Sequence, residues 1–250
     1  MKFDRIKEIE TYIADHESVS IDKLCEVFNV SKNTIRRDIN ELIEKGSIEK
    51  IYGGVIAKDR NLFVSFEERN AKNSGAKMMI GESAAAFVRD NDIIFLDSGT
   101  TTFYMTGHIK ELRNVTVITH NIHVITALFF HHNINIISLG GALMHKTGSF
   151  GGLESINMLK NYNITKAFMS TTGVSIENGL TNSSMAEFEI KKAVAQKAGE
   201  IYLLADSSKF GISSLYTYCN LEEVAYVITD RKLPDKYYHY FQQHDINLVV

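Results

Sequence analysis

Residues 31–54 read SKNTIRRDINELIEKGSIEKIYGG, and this stretch decides the fold of the amino-terminal end. At helical spacing Ile35, Ile39, Leu42 and Ile43 form one apolar stripe, while Asn33, Arg36, Arg37 and Asn40 lie roughly opposite. Ser31 is placed to cap the helix, because its hydroxyl can accept from an unused amide of the first turn, and Gly46 is placed to end it. The spacing predicts a helix from Lys32 to Lys45. Upstream, Ile21, Leu24, Cys25 and Phe28 repeat with the same period, and the joint Asn29-Val30-Ser31 leaves room only for a tight turn. Ile6, Ile9 and Ile13 predict one more helix before these, so three stripes can close a small core. Downstream, Ser47 to Ile51 and Val55 to Ala57 predict two short strands joined through Tyr52-Gly53-Gly54, glycines being able to take the positive backbone angles of tight hairpins. Three helices followed by such a hairpin make a winged helix-turn-helix, and this predicts a DNA-reading head.

In such a head the helix starting at Lys32 enters a major groove. Asn33 and Arg36 are the leading base-edge residues, since Asn and Arg can bond bidentately to adenine and guanine respectively. Lys32, Thr34, Arg37 and Lys50 suit phosphate contacts, which position a protein without reading sequence. Ser31 and the wing residues Tyr52, Gly53 and Gly54 complete the predicted DNA-binding set. The plainer alternative is a solvated face on an ordinary three-helix bundle, because residues 1–58 carry ten Lys or Arg against eleven Asp or Glu. Positive charge is local instead: Ser31 to Arg37 holds three cations and no anion.

The chain has 250 residues, 44% of them hydrophobic, enough to bury a substantial core and to divide into a head and a larger body. We expect a head at 1–58, a linker at 59–76 and a body at 77–250. The formal net charge is −3, so DNA binding must come from an oriented basic surface rather than bulk charge. No apolar run approaches the roughly 20 residues of a membrane helix, and MKFDRIKEIE does not resemble a secretory signal. A cytoplasmic protein without membrane contact is expected. Cys25 and Cys219 are far apart, and Cys25 sits on an apolar stripe, which speaks against a disulfide framework or zinc site. His120, His123, His131 and His132 have no nearby carboxylate or cysteine to complete a ligand set, so neither metal nor other cofactor is expected.

Beyond the linker, short apolar runs recur at Ile93–Leu96, Val115–Ile118, Ile134–Leu139, Ala167–Ser170, Ile201–Ala205, Val224–Ile228 and Ile246–Val250, separated mainly by helix-like stretches. That rhythm predicts an α/β domain with a largely parallel sheet. Ligands of such sheets bind beyond the carboxyl ends of the strands, so the residues after each run matter most. Asp97-Ser98-Gly99-Thr100-Thr101-Thr102 combines a glycine-permitted loop, hydroxyls and a helix start into an anion cradle, phosphate being its best small ligand; a hydroxyl-rich helix cap is the alternative. No Walker lysine follows, which disfavours ATP hydrolysis. Further strand ends offer His120-Asn121 and Gly140-Gly141, either of which could equally be turn chemistry. Glu187 and Lys191 share a helical face, where an exposed ion pair is the plain reading. Lys209, in Asp206-Ser207-Ser208-Lys209-Phe210-Gly211, could meet an anion.

Ser31, Thr34, Ile35, Arg36, Arg37, Asp38, Ile39 and Leu42 match S-x-x-T-[IV]-R-R-D-[IL]-x-x-L, the recognition-helix pattern of the deoxyribose-operon repressor (DeoR) family of bacterial transcription regulators. Tyr52-Gly53-Gly54-Val55 departs from that family's common His-Gly-Gly-Ala wing but keeps the turn. The succession DSGTTT, THN, LGG, G…NGLT…E…K and DSSKFG resembles the family's carboxyl-terminal sensor domain. The resemblance implies a sensor related in fold to ribose-5-phosphate isomerase, in which phosphorylated sugars or sugar-like intermediates alter operator affinity. By motif, Asp97 to Thr102 correspond to its phosphate loop, and Glu187, Lys191 and Lys209 to charged residues around the ligand. His120 stands where the family commonly has Asn. Residues Tyr162 to Met169 with Thr181-Asn182-Ser183-Ser184 and Glu187 resemble the inositol-catabolism branch, implying a phosphorylated inositol breakdown intermediate as inducer. The expected partners are double-stranded operator DNA, a phosphorylated sugar or polyol-derived effector, and further copies of the chain in a dimer or tetramer. The resulting expectation is a repressor of a carbohydrate or polyol catabolic operon. The alternatives are a sugar-phosphate isomerase-like enzyme with an accessory head, Glu187 shuttling protons beside Lys191 or Lys209, and an adaptor whose head meets protein.

Overall fold

Ser31 caps its helix as the sequence predicts: Oγ accepts from the Thr34 amide at 3.3 Å, and the helix runs Lys32–Glu44. This computed structural model describes residues 2–14, 19–51, 54–57 and 65–250. The preceding helix, Ile21–Phe28, ends at Asn29 in the left-handed conformation (φ 51°), which turns the chain sharply into Ser31. With Lys2–Ala14 these helices bury Ile6, Ile9, Ile13, Leu24, Ile35, Ile39 and Leu42 against Ile48 and Val55 of the wing. Asp38 is fully buried and accepts from Arg5 Nε at 2.8 Å and Nη2 at 3.3 Å, tying the third helix to the first. Its place in the motif is therefore structural.

The wing holds one strand more than the hairpin predicted. Gly54–Ala57 lies between Ile48–Ile51 and a two-residue strand, Val19–Ser20, both antiparallel to it. A Cβ on Gly54 would collide with the Val19 carbonyl oxygen. Close approach of that backbone, rather than a positive φ, is what requires glycine there. Tyr52 and Gly53, also predicted for DNA, lie outside the described residues.

A seven-stranded parallel sheet dominates the second unit. Its spatial order is Asn247–Val249, Tyr226–Ile228, Glu200–Leu204, Lys166–Met169, Ile93–Leu96, Val115–Thr119, Ile134–Ser138. Every apolar run picked from the sequence is one of these strands. Alternation along them feeds two cores: Ile94, Leu96, Val117, Phe168 and Leu204 pack with helices Ser74–Ala85 and Ile122–Leu128. Phe95, Ile118, Ala167, Met169 and Leu203 pack on the other face with Met185–Ala195 and Asp235–Gln243. Two antiparallel additions escape the sequence reading, the sheet Gly173–Ser175, Gly179–Asn182, Tyr216–Cys219 and the hairpin Ala142–Met144, Ser149–Gly151. Strand order reverses between Ile93–Leu96 and Lys166–Met169, so the loops after those two strands diverge and open the crevice where ligands of such sheets bind.

Contacts divide the chain into Met1–Phe63 and Val64–Val250. Residues 66–76, expected as linker, are largely helical and belong to the second unit. Ser65 and Glu68 form a reciprocal capping box that starts Phe66–Ala71. Phe66 is buried, stacked on His123 at 3.7 Å between ring centres and edge-on to Phe103 at 5.5 Å. Among the described residues no helix is long and apolar enough to cross a membrane.

Candidate functional site

On the head, Lys32, Asn33, Arg36, Arg37, Asn40 and Lys50 are all exposed. Ser31 and Thr34 hydroxyls face each other at 2.9 Å, so both are engaged in the cap. Lys50 Nζ donates to Asn40 Oδ1 at 3.0 Å, tying a wing strand to the long helix, and Lys32 pairs with Asp22. A concavity of about 380 Å³ lies between helix and wing, lined by Lys32, Arg36, Asn40 and Lys50 among others. Asn40, one turn beyond Arg36, is absent from the predicted set although it shares the polar face.

In the sensor unit the strand-reversal crevice gathers residues from six segments. Asp97, ending the strand Ile93–Leu96, is fully buried. Its Oδ2 accepts from the Ser170 amide at 3.0 Å, from the Ser170 hydroxyl and from Lys191 Nζ. Burial by itself would raise this carboxyl; Lys191 first, then His120 and the Ser170 hydroxyl, overcome it and bring the pKa down to about 2. Lys191 also donates to the Ser170 carbonyl at 2.9 Å and lies 5.2 Å from the Tyr218 ring centre. Glu187 accepts from Ser98 Oγ at 3.4 Å and from Asn182 Nδ2 at 3.0 Å. The plain reading of Glu187 and Lys191 as an exposed ion pair therefore fails: both are buried, and each turns to different partners. Gly99 is required because a Cβ there would collide with the Ser170 hydroxyl.

His120 completes the cluster, buried and stacked on Phe95 at 5.7 Å. Burial lowers its pKa, against the pull of Asp97, so the ring is neutral at pH 7. Neither ring nitrogen has a hydrogen-bond partner among the described residues, and the same holds for Asp97 Oδ1 and Asn121 Nδ2. Such orphaned buried atoms are rare in folded proteins, and here they share one strand-end cluster.

Other predicted residues find different settings. Thr102 Oγ1 donates to the carbonyls of Asp97 and Gly99 at 2.9 and 2.8 Å, which is capping, while Thr100 and Thr101 are buried beside it. Gly141 has φ +129°, and a Cβ there would meet the Gly151 carbonyl oxygen; Gly140 accepts from Ser155. Hairpin packing thus explains glycine at 141, whereas a Cβ on Gly140 would meet only Met158 Sδ at ordinary contact distance. Lys209 lies with Lys77 and Asp206 at the end of strand Glu200–Leu204. Among the described residues no group of three His, Cys, Asp or Glu side chains is arranged to hold a metal ion.

Residues 72–231 match the DeoR C terminal sensor domain, and residues 5–61 match the DeoR-like helix-turn-helix domain. The chain belongs to the DeoR family. It is 47% identical over 248 residues to the HTH-type transcriptional regulator IolR of Bacillus subtilis (strain 168), covering 99% of each chain. It is 32% identical to the HTH-type transcriptional repressor GlcR of the same organism, over 93% of this chain and 90% of that one. Among solved structures, ribose 5-phosphate isomerase from Plasmodium falciparum aligns with a TM-score of 0.40 and 20% identity, over 54% of this chain and 52% of that chain. This DeoR-family protein is a DNA-binding transcription regulator and not an enzyme.

Sequence reasoning about this regulator missed Ser170, Asn182 and Tyr218. Ser170 immediately follows its strand and was absorbed into the apolar run; the other two come from the antiparallel addition, which has no strong periodicity. For His120 the sign of the pH effect is defined. A folded-state pKa below the unfolded one stabilises the neutral form, fully present above about 6.5 and lost as pH falls towards the folded value. Thermal unfolding midpoints should drop as pH falls below about 6.5 in the wild type, and less in His120→Asn. Parallel curves for the two proteins would remove His120 as the source.

Proposed function

We propose that this DeoR-family regulator represses a carbohydrate or polyol catabolic operon and leaves its operator when a phosphorylated effector occupies the crevice around Asp97. The observation that carries the reading is the set of buried polar atoms without partners, Asp97 Oδ1, both His120 nitrogens and Asn121 Nδ2. Each such atom left unpaired costs about 1–3 kcal/mol. Hydroxyls of a sugar or polyol supply both donors and acceptors, and so satisfy all of them at once. Ser98, Thr100, Thr101 and the Gly99 backbone receive the phosphoryl group; Glu187, Lys191 and Lys209 contribute charge around the ligand, and Gly140 and Gly141 shape the strand end next to it. Asp97 then works through its Oδ1 while Lys191 holds its Oδ2.

On the head, Asn33 and Arg36 read base edges, and Lys32, Thr34, Arg37 and Lys50, with Ser31 and the wing, hold phosphates. The near full-length identity to IolR supports the inositol-catabolism branch, with a phosphorylated breakdown intermediate of inositol as inducer. Half-site recognition calls for a symmetric homo-oligomer, a dimer or tetramer, acting on cytoplasmic DNA. Binding energy moves the operator equilibrium only through differential affinity for the two states. Titration of labelled operator in the presence of sugar and inositol phosphates should therefore lower affinity about 5–150-fold for the cognate compound. Unchanged affinity across the series would overturn induction by phosphate esters while leaving DNA binding intact.

A further inference from the structure

Lys77 and Arg69 belong to none of the motifs above, yet Lys77 is a buried cation and Arg69 a half-buried one, and neither has an ion pair among the described residues. Lys77 is 6% exposed, and its Nζ donates to the Arg69 carbonyl. Lys209, Arg69 and Lys72 all act on it as like charges, against Asp206 alone. Asp206 is already engaged, its Oδ1 accepting from Asn73 Nδ2 at 3.2 Å, from the Ser208 amide at 3.1 Å and from the Ser208 hydroxyl. Burial and these neighbours bring the Lys77 ammonium down to about 8. Arg69 adds a second anomaly: its Nε and Nη2 are buried with no partner among the described residues, although its guanidinium lies 5.9 Å from the Phe66 ring centre. A guanidinium keeps its charge under all ordinary conditions, so two orphaned donors on it mark a place for an oxyanion.

We infer that Arg69 and Lys77 form an oxyanion subsite that joins the Ser98–Thr101 loop in holding the phosphoryl group of the effector, and that occupancy fastens helix Phe66–Ala71 to the ligand. The inference rests on the proposal that the effector is phosphorylated and adds how binding is transmitted. Helix Phe66–Ala71 is the first element after the residues leading out of the head, and it already touches the Thr100–Phe103 turn through Phe66 and Phe103. An oxyanion bonded to Arg69 Nε and Nη2 draws on both the helix and the loop that follows Asp97. The Lys77 ammonium, now holding a helix-end carbonyl, is shared with that anion. Ligand binding thereby changes how tightly the start of the sensor unit is held, which is the part of the chain that continues to the DNA-binding head.

Inorganic phosphate titrated into the full-length protein is the probe, followed by phosphorus NMR and by hydrogen exchange at residues 66–71. In the wild type, phosphate should bind and slow exchange across that helix. Arg69→Gln should weaken phosphate about tenfold, the scale of one charge-assisted hydrogen bond, and lose the protection at 66–71. Arg69→Lys should recover part of the affinity but less of the protection, since an ammonium cannot form the fork. Operator binding without phosphate checks that each variant is folded. Wild-type affinity and protection in Arg69→Gln, with binding lost in Thr101→Val, would overturn this subsite and leave the phosphorylated-effector reading standing. No phosphate response in the wild type would overturn both.

Discussion

Lys191→Met should destabilise the sensor unit by about 3–5 kcal/mol and abolish the effector response, the cost of removing one partner from a buried ion pair. Lys191 and Asp97 are both essentially inaccessible to water, so the carboxylate left behind cannot recruit solvent. Lys191 also serves the Ser170 carbonyl, which keeps only the Tyr218 hydroxyl, at 2.8 Å, when the lysine is gone. The pH dependence follows from sign. With Lys191 present, the Asp97 pKa sits near 2, below its unfolded value of 3.8, so the pair stabilises above that value and is lost as pH falls through about 2. Without the lysine, the strongest influence opposing burial is gone and the carboxyl rises, so the deficit against wild type is smallest in acid and grows towards neutrality. Urea unfolding followed by circular dichroism suits a chain with no Trp. Asp97→Asn combined with Lys191→Met should recover part of the stability, because no unpaired charge remains, but none of the response. A Lys191→Met protein unfolding at the wild-type urea midpoint would show that the pair carries no structural weight.

Arg36→Ala should have the largest effect on DNA. Its guanidinium is exposed on the polar face of the helix Lys32–Glu44, borders the concavity beneath the wing and has no role in the buried core of the head. Loss of a bidentate base contact costs about 1–3 kcal/mol per half-site and relaxes specificity at that base pair. The contrast is Lys50→Ala, which should weaken all sequences alike and reduce the salt slope by about one. Competition between operator and scrambled DNA separates the two. Retained discrimination in Arg36→Ala would take the arginine out of base reading and shift attention to Asn33 and Asn40. Asp38, two residues on in the same motif, gives the opposite result: its carboxylate holds Arg5, so substitution there lowers head stability before it touches recognition.

Much of this was legible along the chain because the signals are local. The Ser31 cap, the Ile35, Ile39 and Leu42 stripe and the seven apolar runs report which residues sit in which element, and strand-end residues such as Asp97 and His120 follow from their place after a run. Within the linker expected at 59–76, residues 66–71 form a helix that a single buried Phe66 anchors. Gly54 and Gly141 were recognised as necessary, yet for the wrong reason in one case and an undecided one in the other. Each is required by a distant backbone, Val19 and Gly151 respectively, which no spacing rule can supply.

The amino-acid sequence by itself determined a winged helix-turn-helix followed by a parallel α/β unit, with hydroxyl and charged residues set at the ends of its strands. Periodicity and capping act over a few residues, so they survive without knowledge of the fold. Tertiary structure alone decided that Lys191 meets Asp97 across 94 residues rather than Glu187 four positions away. It also decided that His120 is sealed and unpaired, and that Lys77 is buried beside Arg69, whose Nε and Nη2 are shut off from water. Those outcomes depend on strand order and on exclusion of water, and both are properties of the assembled sheet rather than of any segment.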